Sequence, residues 1–161
     1  MNLKNFVTES NRIEGITRTT REEILAHEAF VALTHPCIAD IVGLVSVLQP
    51  RALLRDEPGR DVRVGTYYPP RGGLHVRNDL RLLLERLGEH SPYTAHLAYE
   101  ALHPFTDGNG RSGRALWLWM MGGLDHAPLG FLHHWYYQSL AAPHDTESCV
   151  PLPSQVFSAE D

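Results

Sequence analysis

The sequence predicts a mostly α fold carrying one short β flap, and three observations lead there. Apolar residues recur at helical spacing in several separate runs, and Pro or Gly punctuates the ends of those runs. One stretch, 51–73, breaks the pattern with seven prolines and glycines around an alternation of Val62 and Val64. A chain of 161 residues is long enough to bury one real core and too short for two.

Taken in order, residues 6–15 form a short helix with Glu14-Gly15 as its stop. Thr20 followed by Glu22 and Glu23 marks the next helix start, and Ile24, Leu25, Ala29 and Leu33 continue it at helical spacing. Pro36 interrupts; Ile38, Ile41, Val42, Val45 and Leu48 then resume the pattern until Pro50. Residues 51–73 read as a hairpin or extended flap. Asn78 opens a leucine-rich helix over 79–87, and Ser91-Pro92 is an N-cap signature for another that stops at His103-Pro104. Residues 114–121 are free of breakers and predict a helix, as do 131–140. The tryptophans and tyrosines there have core spacing, and 141–161 reads as a loose tail.

Composition narrows the function classes. A net charge of -5 without a basic stripe argues against nucleic acid as a partner, although a local pair of arginines binds phosphate at any net charge. Cys37 and Cys149 have no metal-like spacing, and two idle thiols fit a cytoplasmic protein. The N-terminus lacks a signal-peptide core, and no apolar run can span a bilayer. His126, His133 and His134 lack the spacing of a metal site, and His96 reads as a helix-packing residue.

The chemistry concentrates in HPFTDGNGRSGR, 103–114, between two predicted helices. Gly108 and Gly110 can take backbone conformations closed to other residues, so Gly108-Asn109-Gly110 can turn several N–H groups toward one anion. The following helix adds its positive end to the same spot. Arg111 and Arg114, three apart, share a face and can flank one phosphate-bearing ligand. Asp107 offers a hard oxygen for Mg²⁺, and His103 can accept a proton near neutral pH. Together these residue types describe a phosphate-transfer site.

This loop resembles the Fic-domain motif HPFx(D/E)GNGRxxR at every specified position: His103, Pro104, Phe105, Asp107, Gly108, Asn109, Gly110, Arg111 and Arg114. Nine fixed positions coincide by chance on the order of once in 10¹¹ windows, so the match is specific. The resemblance runs back through SPYTAHLAYEAL, with His96 one heptad before His103, and to the flap near Arg60 to Pro70, covering about 6–140. It implies a Fic-type helical bundle with a short β-hairpin flap and a protein adenylyltransferase using ATP and Mg²⁺. In that reading His103 deprotonates a Tyr, Thr or Ser hydroxyl of a target protein, and Asp107 holds Mg²⁺. Asn109 with the Gly108 and Gly110 backbone fixes the α-phosphate, Arg111 neutralises the β-phosphate and Arg114 holds the γ-phosphate. Phe105 anchors the core. Ser10-Asn11-Arg12-Ile13-Glu14-Gly15 further resembles the family's inhibitory motif (S/T)xxxE(G/N), which implies that Glu14 pairs with Arg114 and misaligns ATP. A target segment would dock beside the flap at Val62 and Val64 by main-chain bonds, and self-modification is open.

The implied organisation is an inhibitory segment over 1–19, a catalytic core over 20–140 and the tail over 141–161. Two rival readings use the same residues. One is another reaction at the same loop, namely transfer of a different nucleotide, phosphorylation, or removal of AMP. The other is a non-catalytic regulatory module. The intact Gly110 and both arginines favour AMP transfer over phosphorylation. A binding module would need neither His103 nor Asp107.

Overall fold

The computed structural model describes residues 2–125, and among them stand six α-helices and no β-strand. They are α1 (Leu3–Ile13), α2 (Arg21–Val31), α3 (Ile38–Leu48), α4 (Leu74–Glu85), α5 (Pro92–Leu102) and α6 (Asn109–Met120). The helix expected over 131–140, the tail, Cys149 and the histidines at 126, 133 and 134 lie outside the described residues. No described helix is long and apolar enough to cross a membrane.

Local chemistry explains most boundaries. α1 ends at Glu14, after which Gly15 takes φ +73° and returns its N–H to the Arg12 carbonyl. α2 opens on a capping box: Thr20 Oγ1 accepts from the Glu23 N–H at 3.2 Å, and the Glu23 carboxylate accepts from the Thr20 N–H at 2.8 Å. At α5, Ser91 Oγ accepts from the Thr94 N–H and Pro92 fills the first turn.

Three expectations need correction. α4 begins at Leu74, so Asn78 lies one turn inside it; Gly72-Gly73 are the last breakers, and Val76 is drawn into the core with no exposure. α6 begins at Asn109 rather than 114, so the glycine-rich stretch supplies its first turn. In α2 the inward face is Glu23, His27 and Phe30, while Leu25 is 50% exposed. Glu23 points inward to Arg111 of α6, and His27 bonds back to the Glu23 carbonyl.

The flap is narrower than a hairpin of strands. Val64 and Tyr67 exchange both main-chain hydrogen bonds at 2.9 Å around Gly65, whose φ of +59° suits the first central position of a tight hairpin turn. The pairing ends there. A second isolated bridge joins Leu54 to Phe105, with the Arg55 N–H on the Pro104 carbonyl and the Thr106 N–H on the Leu53 carbonyl. The base of the flap is thereby pinned to the glycine-rich loop.

The main core gathers Ile41, Leu44 and Leu48 of α3, Leu80, Leu83 and Leu84 of α4, Tyr99 and Leu102 of α5, and Leu116 of α6, with Phe105 between them. A second cluster of Phe6, Val7, Trp117 and Leu118 docks α1 onto α6. Burying Phe6 and Val7 stabilises that docking by roughly 1.5–3 kcal/mol per side chain. Trp119 packs at the edge of the core and donates its indole N–H to the Leu33 carbonyl at 2.8 Å. His96 is buried, as a packing residue should be.

Candidate active site

Helix α5 terminates at His103 in a left-handed turn, φ 49° and ψ 62°, the one positive φ outside glycine among the described residues. Such a conformation costs about 1–3 kcal/mol and persists only where its surroundings hold it. They do. Just before the turn, the Tyr67 hydroxyl caps the helix by donating to the Ala101 carbonyl at 2.7 Å, and the turn itself is held by Arg55. Arg55 donates from Nη2 to Leu102 O at 3.0 Å, from Nε to His103 O at 2.7 Å, and from its main-chain N–H to Pro104 O at 2.8 Å. Four successive carbonyls are thus satisfied at the end of α5. Burial lowers the pKa of the His103 imidazole, with nearby Glu100 opposing it. The ring therefore stays neutral near pH 7 and can accept a proton.

Beyond it, the loop turns at Gly108, φ +78°, which serves as N-cap of α6. The N–H groups of Asn109, Gly110 and Arg111 lie in the first helical turn, where no intrahelical acceptor reaches them. Together with the helix dipole they can receive an anion. The Asn109 side chain is engaged within the loop itself. Its Oδ1 accepts from the Phe105 N–H and its Nδ2 donates to the Phe105 carbonyl, both at 2.8 Å. Asn109 offers an anion its main chain, while its amide shapes the loop. Gly110 is helical, so the expected unusual backbone is found at Gly108 alone. What Gly110 needs is room, since a Cβ there would collide with Glu14 Oε1. Asp107 is exposed, with one oxygen accepting from Gln49 Nε2 at 2.5 Å and the other from the Gly108 N–H at 2.6 Å.

Both motif arginines are engaged by carboxylates. Arg114, 1% exposed, donates from Nε to Ser10 Oγ at 2.8 Å and from Nη2 to Ser10 O at 3.0 Å and Glu14 Oε1 at 2.7 Å. Residues a hundred positions apart meet as the inhibitory motif implied. Arg111 Nη1 lies 3.6 Å from Glu23 Oε1, and its buried Nε has no hydrogen-bond acceptor. Glu23 also accepts from Asn11 Nδ2 at 3.1 Å, which ties α1 to α2. Sequence reading took Glu23 for a helix-start residue and overlooked Asn11, Gln49, Arg55 and Tyr67. The capping box hid Glu23's second duty, Asn11 stands at an unspecified position of the inhibitory motif, and Gln49, Arg55 and Tyr67 belong to no motif. Val64 is 43% exposed at the turn, and Tyr67, rather than Val62 or Val64, reaches the end of α5.

Among known proteins, no curated protein and no solved structure gives a match. The model of the Fic/DOC family matches residues 40–121, just over half of the chain. The matched span runs from the first turn of α3 to the end of α6 and contains the whole glycine-rich loop, while Ser10, Glu14 and Glu23 lie outside it. By that match the chain belongs to the Fic/DOC family.

Proposed function

We propose that this chain is a protein adenylyltransferase that moves AMP from Mg-ATP to a Tyr, Thr or Ser hydroxyl of a target protein, and that Glu14 restrains it. The observation that supports this best is the carboxylate of Glu14, 2.7 Å from Arg114 and packed against Gly110. A carboxylate thus holds the arginine that the reading assigns to the γ-phosphate. In the reaction, the neutral His103 ring takes the proton of the incoming hydroxyl. The hydroxyl oxygen bonds to the α-phosphorus as the bond to the bridging oxygen breaks, and pyrophosphate leaves. The α6 N–H groups hold the α-phosphate, Arg111 faces the β-phosphate and Arg114 the γ-phosphate, so catalysis rests on positioning and charge neutralisation.

The residues suit Mg²⁺ that arrives with a polyphosphate. Among the described residues no group of three or more His, Cys, Asp or Glu side chains could cage an ion, and Asp107 offers one exposed carboxylate. Asp107 would hold the ion, whose contribution is to neutralise phosphate charge.

With Glu14 on Arg114, ATP lacks its γ-phosphate partner and meets negative charge in its place. Charge-assisted hydrogen bonds contribute about 1.5–3 kcal/mol, and Glu14 is about a third exposed. Glu14→Gly should therefore raise label transfer from α-³²P-ATP on the order of 10- to 100-fold. Glu14→Gly with Arg114→Ala should stay low, because the γ-phosphate then has no partner. Equal activity in wild type and Glu14→Gly would end the brake. Transfer from γ-labelled but not α-labelled ATP would replace AMP transfer with phosphorylation.

A further inference from the structure

Arg55 is fully buried, yet all four hydrogen bonds of its guanidinium run to main-chain carbonyls. Two of these, Leu102 O and His103 O, belong to the left-handed end of α5. The other two, Arg60 O at 3.3 Å and Pro70 O at 2.8 Å, belong to the two ends of the flap. Its main chain extends the same bridge, with the N–H on Pro104 O and the carbonyl accepting from the Gly73 N–H at the start of α4. A planar guanidinium is suited to this, because its donors diverge in a fixed fork that an ammonium cannot reproduce. The strained turn at His103 needs an external clamp, and a donor on the His103 carbonyl itself supplies it.

We propose that Arg55 is a positioning residue for His103, locking the turn that presents the imidazole and fixing its distance from both ends of the flap. A target chain lying along the flap would then meet the imidazole in one register, because one rigid group sets both. This rests on His103 being the proton acceptor of the reaction proposed above, and on the flap as docking edge. Tyr67 provides the contrast. Its hydroxyl binds the Ala101 carbonyl, two residues before His103, so it caps the helix without touching the turn.

The test uses the full chain carrying Glu14→Gly, at a temperature where thermal melts show each variant folded. Arg55→Lys should lower kcat for AMP transfer roughly 10- to 100-fold and leave the Kd for Mg-ATP within about 3-fold. It should also shift and broaden the His103 ¹³Cε1–¹H resonance. Tyr67→Phe should lower the melting temperature but keep kcat and that resonance close to the parent. Wild-type kcat and resonance in Arg55→Lys would overturn the proposal, and so would an equal loss in Tyr67→Phe, which would reduce Arg55 to helix capping. Should Arg55→Lys fail to fold, Arg55→Gln takes its place. Independently of any variant, the Arg55 Nε–H should exchange slowly with solvent in the wild type; fast exchange overturns the clamp. If the Glu14→Gly parent transfers no AMP, the adenylyltransferase reading falls, and the His103 resonance and Arg55 exchange alone decide the positioning.

Discussion

His103 is a residue under two constraints, a left-handed backbone and a half-buried ring. The first aims the imidazole; the second lowers its pKa below the ordinary 6.5, so the neutral form survives into mild acid. A base must be neutral to act. In Glu14→Gly enzyme the acid limb of kcat/KM against pH should therefore fall below pH 6.5. A limb at or above that value would contradict a buried base. His103→Ala should abolish transfer while calorimetry finds Mg-ATP bound within about 3-fold of the parent, since the phosphates rest on α6 and the arginines. A matching loss of affinity would make His103 an organiser of the loop instead. Most residues of this site were legible because the loop is contiguous and each residue type has one obvious chemistry. The bonds of the Asn109 amide to Phe105 were not legible, since the two meet only once the loop has closed. Glu23 and Arg55 escaped because their partners lie far away in sequence.

At the scale of elements, the brake is only as strong as the seating of α1. Phe6 and Val7 are wholly buried against α6, and Phe6 meets the His27 ring edge-on at 6.3 Å. Asn11 then ties α1 to Glu23. Phe6→Ala should cost about 3 kcal/mol or more of local stability. The lost docking should raise hydrogen exchange across Leu3–Ile13 and partly activate the enzyme with Glu14 still present. Faster exchange without any gain in transfer would show that Glu14 stays on Arg114 even when the helix loosens. α1 begins at Leu3 rather than at 6, but its C-terminal stop and both limits of α5 were legible, since Gly15 and Ser91-Pro92 act locally. The inward face of α2 was not. Reading a helix for its apolar stripe assumes an apolar interior, and α2 turns Glu23 toward Arg111 and His27 toward Phe6. The Val62–Val64 alternation promises strands, whereas the paired edge forms between 53–55 and the loop.

Across the whole molecule, the site imposes a pH dependence on folding, because its packing buries histidines in the neutral form. His27 donates from Nδ1 to the Glu23 carbonyl at 2.7 Å, its Nε2 is buried without a partner, and burial lowers its pKa. His96 is pushed from 6.5 to about 4, chiefly by burial, with Arg114 adding to the fall and a bond to Gly113 opposing it. Its Nε2 lies 4.0 Å from Glu100 Oε1, a polar contact rather than an ion pair while the ring is neutral. Between pH 6.5 and about 4 the unfolded chain carries a proton at His96 that the folded chain refuses. Stability therefore falls as pH falls through that window and changes no further at this residue below it. The loss from pH 7 to 5 is on the order of 2 kcal/mol. Glu100 acts in the opposite sense. Burial raises its pKa, so the folded state takes up that proton first and regains stability as pH falls toward 4.5. Urea melts of wild type and His96→Gln at pH 7 and pH 5 isolate the histidine, because Glu100 is present in both chains. His96→Gln should lose about 2 kcal/mol less than wild type between the two pH values, whatever it costs at pH 7. Parallel losses would mean that His96 titrates alike in both states, and the acid sensitivity would have to come from His27 and His103.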